Sequence, residues 1–259
     1  MKVASIATYA GRLDVLPDAV KSLAGQVDVV HIYYNGKVDD SGWKELQVKL
    51  ISECGDMGGE TARCLCEVVE DRADLSKFRA IWDYPDATIF TCDDDLIYSP
   101  DYVRQLTKCL HYDTMVGADV VAIGGNQISD ENKLKKSKTY MGCFGQRFSA
   151  FTVPVDSRKV PYGFMYPDDL HAPISGLAAF DSSKFQDCSI NEIYKYAADI
   201  QLGAWIEEKG YTAKRVWGYR KCLVKRNAKM KGNRDTIFDN YTNVEGVKLS
   251  NLVRDIWKS

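Results

Sequence analysis

The chain has 259 residues, 45% of them hydrophobic and 27% charged, with a formal net charge of −2. These values describe a globular domain large enough to bury a core, and they exclude a disordered polyelectrolyte or a molecule whose overall field draws polyanions. No run reaches the ~20 apolar residues that cross a bilayer, and residues 1–6 read as a first strand, not a signal peptide, so a cytoplasmic location is expected. In that compartment the eight cysteines are reduced thiols, and Cys64 and Cys66 stand too close for a zinc knuckle.

Residues 2–7 read as a strand, and Thr8 to Arg12 as a turn. Residues 14–23 carry Val15, Leu16, Ala19, Val20 and Leu23 at helical spacing. Residues 27–34, rich in β-branched and aromatic side chains, form a second strand that stops at Asn35-Gly36. Strand, helix and strand make a βαβ unit, hence a parallel sheet. Residues 42–49 are read as a short helix, 50–52 as a short strand, 61–70 as helix and 75–82 as helix. Residues 87–92 are a clear strand that delivers Asp93, Asp94 and Asp95 at its C-terminal end. Ser99-Pro100-Asp101 has the composition of a helix start, and that helix is expected to run to about residue 112. A strand follows at 120–124. Residues 126–163 are expected to form a mixed, partly antiparallel region, with a strand at 174–180, a helix at 194–209 stopped by Gly210 and a last strand at 211–217. No repeat or linker interrupts the chain, so one continuous domain is expected.

Three adjacent carboxylates at the end of a buried strand repel one another. A hard divalent cation, Mg²⁺ or Mn²⁺, is the simplest neutralising group, because such ions take carboxylate oxygens together with diphosphate oxygens. In open α/β sheets ligands sit at the carboxyl ends of strands, where this reading puts the triplet. The alternative is an exposed acidic turn that caps the next helix.

Five segments stand out: Ser5-Ile6-Ala7-Thr8-Tyr9-Ala10-Gly11-Arg12; Asp74-Leu75-Ser76-Lys77-Phe78; Ile89 through Tyr102, with its acidic Asp-x-Asp motif; Ser175-Gly176-Leu177-Ala178-Ala179-Phe180; and Ala198-Asp199-Ile200-Gln201-Leu202-Gly203. Together they resemble the GT-A glycosyltransferases, in particular the family 2-like bacterial and phage enzymes, in which the acidic triplet is the DXD motif. The resemblance covers about residues 2–217. It implies an α/β fold of GT-A type: a Rossmann-like nucleotide-binding half at about 1–125, and an acceptor and catalytic half at about 126–217 built on a mixed central sheet. A basic loop and tail follow at 218–259. The chain departs from the family pattern in an insertion between Gly59 and Asp74. It also has no histidine after His171 to act as a third metal ligand.

The resemblance also implies roles. Asp93 contacts the nucleotide side of the donor and, with Asp95, holds Mn²⁺ or Mg²⁺. Thr8, Tyr9 and Arg12 line the nucleotide pocket, with Tyr9 placed to stack on the base. Asn35, Asp56, Lys77 and Asp94 belong to the donor side. Asp199 is the general base that takes the proton of an acceptor hydroxyl, against the alternative of a plain helix cap. His171, Ser175 and Gly176 lie on the acceptor side. Residues 211–234 hold nine Lys or Arg and no acid. Within them Lys225, Arg226, Lys229 and Lys231 suit either a diphosphate or the phosphates of a nucleic acid, against the alternative of a solvated basic loop. The expected reaction moves a hexose from a nucleotide sugar, UDP-linked by preference, to an acceptor hydroxyl with inversion. The acceptor is a hydroxymethylated base of phage DNA or a cell-surface glycan. A non-catalytic sugar-nucleotide-binding protein is the remaining alternative. A nucleotidyltransferase fits poorly, because residues 8–13 carry one Gly and one Arg in place of a Gly-rich basic loop.

Overall fold

The computed structural model describes residues 1–55, 62–110, 115–117, 120–124, 138–141, 147–149, 169–173, 175–195, 198–211, 213–215, 224–227 and 229. Strand β1 (Lys2–Thr8) leads through a 3-10 turn at Ala10–Arg12 to α1 (Leu16–Ala24), then β2 (Val29–Asn35), α2 (Ser41–Gly55) and β3 (Arg63–Val69). A 3-10 helix at Ala73–Arg79 continues into the short α3 (Ala80–Asp83) and so to β4 (Thr88–Asp93). Then come β5 (Leu96–Tyr98), α4 (Tyr102–Leu110), β6 (Met115–Gly117), β7 (Val120–Gly124), β8 (Lys138–Met141), β9 (Arg147–Ser149) and β10 (Asp169–Pro173). They are followed by β11 (Leu177–Asp181), the helix Ala198–Glu208 (α5), β12 (Ala213–Arg215) and β13 (Val224–Arg226).

Among the described residues the main sheet has seven strands in the order β12-β6-β11-β4-β1-β2-β3. Strands β1 to β4 are mutually parallel, and β11 alone runs against its neighbours β4 and β6. The expected α/β architecture, a Rossmann-like half joined to a mixed sheet, is therefore what the chain adopts. Successive side chains leave a strand on opposite faces, and the core divides accordingly. Val3, Val29, Ile89 and Phe180 pack with Phe78 and Trp205 on one face. Ala4, Ile6, Ile32 and Phe90 pack with α1, Trp43 of α2 and Leu106 of α4 on the other. All five apolar residues expected on the inner face of α1 are buried.

The chain winds from β1 outward to β2 and β3, then crosses back to lay β4 on the other side of β1. This reversal opens a crevice at the carboxyl ends of β1 and β4, where open α/β sheets bind their ligands. Thr8 ends β1, and Asp93 ends β4 opposite Ala7.

Several local expectations are corrected. Residues 61–70 form strand β3, not a helix, because pairing with β2 along seven positions outweighs the helix-forming Ala, Arg, Leu and Glu of the segment. Residues 42–52 belong to one helix, α2, in which Trp43 and Leu50 sit two turns apart on the buried face while Val48 and Ile51 face solvent. The helix expected at 75–82 is a 3-10 segment for most of its length. The buried Ser99 hydroxyl forms no cap bond to α4, which starts on backbone bonds from Tyr102 to Ser99 and from Gln105 to Asp101. Gly210 stops α5 in the expected way, at φ 63°. No helix among the described residues is long and apolar enough to cross a membrane.

Candidate active site

The acidic turn is the centre of the crevice, and the chain supplies its own counter-charges. Lys77 is fully buried; its Nζ lies 2.6 Å from Asp93 Oδ1 and 2.6 Å from Asp74 Oδ1. Burial alone would lower the pKa of this ammonium, but the charges of Asp74 and Asp93 more than offset that and raise it. Arg12 Nη1 lies 2.9 Å from Asp95 Oδ2 and 3.3 Å from Asp94 Oδ1. Thr8 Oγ1 donates to Asp94 Oδ2 at 2.7 Å. The mutual repulsion that suggested an external cation is thus met, in large part, by Lys77 and Arg12.

Desolvation still dominates Asp93 and Asp94. Desolvation raises Asp94 to about 7, against the lowering by Arg12 and the Thr8 hydrogen bond. It raises Asp93 to about 6, against the lowering by Lys77. Both carboxylates are therefore costly to keep charged, and each is available to a further positive or hydrogen-bonding partner.

Asp93 lies against the turn that starts β11. A side-chain carbon on Gly176 would come within 2.0 Å of Asp93 Oδ2, so any larger residue there would displace the Asp93 carboxylate. The buried Tyr98 locks the same contact: its hydroxyl accepts from the Asp93 amide at 2.7 Å and donates to the Gly176 carbonyl at 3.0 Å. Asp199, in the first turn of α5, accepts from the Ser175 amide at 2.5 Å. That bond joins segments 24 residues apart, and burial pushes the Asp199 carboxyl above the usual carboxylate range. Ser175 Oγ in turn donates to Asp74 Oδ2 at 3.0 Å. The crevice therefore gathers Thr8, Arg12, Lys77, Asp93, Asp94, Asp95, Ser175, Gly176 and Asp199, all expected from sequence. It also includes Asp74 and Tyr98, which stand in the matched segments but to which the sequence assigned no role. Asp74 had a visible signal, its i, i+3 spacing from Lys77.

The remaining expected residues are placed differently. Tyr9 is half-exposed at the rim, with the Arg12 guanidinium 5.8 Å from its ring centroid. Asn35 spends its amide on structure, donating to the Ala73 carbonyl at 2.9 Å and accepting from Ser76 Oγ at 2.5 Å. Lys229, half-exposed, pairs with Asp18 of α1 at 2.9 Å. Lys225 and Arg226 lie on β13, paired antiparallel with Ile97 and Leu96, so their backbone runs beside the acidic turn. Buried Asn227 anchors this strand, its amide donating to the Asp95 carbonyl at 2.8 Å and its side chain to Asp18 at 2.8 Å. His171 is on β10, paired with Ala122 of β7 outside the main sheet. Asp56 and Lys231 lie outside the described residues.

A divalent cation would find hard oxygen donors on Asp93 and Asp95, whose side chains keep 31% and 16% of their exposure. Among the described residues no group of three or more His, Cys, Asp or Glu is gathered to hold a metal. The donor set fits an ion held by two carboxylates and completed by phosphate oxygens of a ligand, the usual situation of Mg²⁺, and not a closed protein cage.

Comparison with protein-family models and with curated proteins gave no match. Solved structures to which the chain is similar include 4-diphosphocytidyl-2C-methyl-D-erythritol synthase from Anaerococcus prevotii, 14% identical, with a TM-score of 0.47 over 86% of this chain and 90% of that one. A Bacillus anthracis protein assigned as a glucose-1-phosphate thymidylyltransferase is 10% identical, with a TM-score of 0.48 over 100% and 96%. The galactosyltransferase LgtC, solved with donor and acceptor sugar analogs, is 12% identical, with a TM-score of 0.39 over 86% and 68%. At such identity and superposition none of them assigns an activity to this chain.

Proposed function

We propose that the chain is a GT-A-type glycosyltransferase that moves a hexose from a nucleotide sugar, UDP-linked by preference, to an acceptor hydroxyl with inversion. One observation carries this reading: the acidic turn at the switch point of the sheet and the carboxylate of Asp199 meet across the single turn Ser175-Gly176. A donor held at the acids would then present its anomeric carbon to a base on the acceptor side.

In this reading the half-exposed Tyr9 ring stacks on the nucleobase at the rim. Thr8 and Arg12 hold Asp94 and Asp95 in place, and Lys77 holds Asp93. Asp93 and Asp95 would bind Mn²⁺ or Mg²⁺ together with the donor diphosphate, and the ion would supply Lewis-acid stabilisation of the departing diphosphate. Asp199 takes the acceptor proton as the hydroxyl oxygen attacks the anomeric carbon, a single displacement that inverts the configuration. Its raised pKa brings it closer to the working pH, which strengthens it as a base.

For the acceptor, we propose a nucleic-acid hydroxyl such as that of a hydroxymethylated base. The nine Lys and Arg of residues 211–234, part of which β13 lays beside the acidic turn, support this over a neutral glycan.

The test is a thermal-shift screen of nucleoside diphosphates with and without Mn²⁺, followed by donor hydrolysis with the best binder's sugar conjugate. A specific binder raises the melting temperature by mass action. Turnover that survives both Asp95→Ala and Asp199→Ala would sink the catalytic assignment. Pyrophosphate release from a nucleoside triphosphate and a sugar phosphate would point to nucleotidyl transfer instead. A salt-sensitive gel shift with duplex DNA checks the acceptor.

A further inference from the structure

We propose that Asp74 and Ser175 are positioning residues that set the orientation of Asp199 relative to Asp93, so that the donor-side acid and the acceptor-side base form one braced unit. The proposal rests on the base role given to Asp199 above. Its geometric basis is a continuous line of contacts. Asp93 Oδ1 meets Lys77 Nζ at 2.6 Å, Lys77 Nζ meets Asp74 Oδ1 at 2.6 Å, and Asp74 Oδ2 accepts from Ser175 Oγ at 3.0 Å. Ser175 then gives its amide to Asp199 Oδ1 at 2.5 Å. A second link runs through Gly176, whose Cα lies against Asp93.

Charge balance alone does not explain Asp74. Lys77 already has Asp93 as its partner, and a second acid leaves the buried group with an excess of negative charge. Nor does balance require the bond to Ser175. Asp74 engages both of its carboxylate oxygens, one toward each half of the site, as a bridge requires.

The backbone is strained to place it. Ala73, immediately before Asp74, has φ 47°, the left-handed region that non-glycine residues rarely occupy. Three bonds hold this conformation: the Ala73 amide donates to Asp71 Oδ1 at 2.9 Å, Asn35 Nδ2 donates to the Ala73 carbonyl at 2.9 Å, and Ser76 Oγ donates to Asn35 Oδ1 at 2.5 Å. Strain that persists because its surroundings over-determine it is characteristic of functional sites. Lys77, the next link, is itself fixed by Ser5 Oγ of β1, which donates to its carbonyl at 2.5 Å.

The charged and hydrogen-bonding groups that bear on Asp199 are Asp74, Lys77 and the amide of Ser175. The negative charge of Asp74 raises the Asp199 pKa, and the bond from the Ser175 amide lowers it. The two positioning residues therefore act on the base in opposite directions.

The test is a ¹³C-carboxyl NMR titration of the full chain, with the Asp199 signal assigned by its loss in Asp199→Asn. It needs no donor. Asp74→Asn is expected to move the Asp199 midpoint down, and Ser175→Ala, which frees the amide from its brace on Asp74 and so loosens its bond to Asp199, to move it up. In parallel, hydrolysis of UDP-glucose as the probe donor is expected to lose about 10- to 100-fold in kcat in either variant, with KM changed less than about threefold, as for a displaced catalytic group. A folded Asp74→Asn and a folded Ser175→Ala that both leave the Asp199 midpoint unmoved overturn the proposal. If Asp74→Asn does not fold, the direction of the Ser175→Ala shift decides. Absence of turnover with every nucleotide sugar would remove the glycosyltransferase reading, while the titration would still decide whether Asp74 and Ser175 set the state of Asp199.

Discussion

Lys77 and Arg12 serve the same three carboxylates from two segments of the chain, and burial separates what each can do. Lys77 has no solvent exposure and two acids within 2.6 Å. Arg12 keeps 22% of its side-chain exposure, at the mouth of the crevice, and reaches Asp94 and Asp95 at longer range. A buried ammonium cannot be replaced by water when it is removed, so Lys77 is tied to the integrity of the fold. A guanidinium at the rim can be displaced or can shift toward an incoming anion, so Arg12 is tied to what the site binds. The inner cation holds the acid turn together, and the outer one competes for it.

The largest effect should follow removal of the inner cation. Lys77→Met keeps the apolar stem but strands Asp74 and Asp93 without their counter-charge. Breaking a buried pair in this way costs about 3–5 kcal/mol, to be read from urea unfolding at neutral pH. Adding Asp74→Asn should restore part of the loss, because one of the two stranded charges then disappears. If Lys77→Met unfolds within about 1 kcal/mol of the parent, the ion pairs contribute little and the comparison with Arg12 loses its basis.

A smaller and different effect is expected at the rim. Arg12→Ala should cost about 1–2 kcal/mol in the same unfolding experiment, since Asp95 can turn to water and Asp94 keeps its bond from Thr8. It should also free Asp94 and Asp95 for an external cation. Mn²⁺ titrated into the protein without nucleotide is then expected to bind several-fold tighter to Arg12→Ala than to the parent, as followed by the loss of the free-ion electron-spin-resonance signal. Equal or weaker Mn²⁺ binding in the variant would mean that Arg12 does not compete for the acid turn.

How much of this was legible in the sequence depended on the range of the interaction. Where a local period sets the structure, as in β1, α1, β2 and β4, the residues announce it, and the acids at the tip of β4 mark the crevice. β3 did not announce itself, because an edge strand made of Arg63, Cys64, Leu65, Cys66 and Glu67 is a strand only by virtue of β2 beside it. The candidate site divides in the same way. Asp93, Asp95 and Asp199 stood out as residue types in recognisable surroundings. The role of Asp74 did not, because its bond to Ser175 spans 101 residues and no periodicity reports a contact of that length. Nor was it visible that the acids would find cations within the chain. That depends on a 3-10 segment beginning at a left-handed alanine, which turns Lys77 inward where an ordinary helix was expected.

The smallest effect sharpens the comparison through pH. Asp94 is raised by burial to about 7, above its value of about 4 in an unfolded chain. A group raised on folding binds more protons in the native state, so its contribution to stability is complete below pH about 4 and is lost as the pH rises through about 7. Asp93, raised to about 6, adds a loss of the same sign that ends about one unit lower. Replacing Asp94 with Asn removes the first of these and leaves the second. The melting temperature of the parent is therefore expected to fall more steeply between pH about 4 and 7 than that of Asp94→Asn, with the two curves changing in parallel below and above that window. Parallel curves across the whole range would mean that Arg12 and Thr8 outweigh burial and hold Asp94 charged throughout. The outer cation would then stabilise its acids as firmly as Lys77 stabilises Asp93, and the division between a structural and a displaceable cation would not hold.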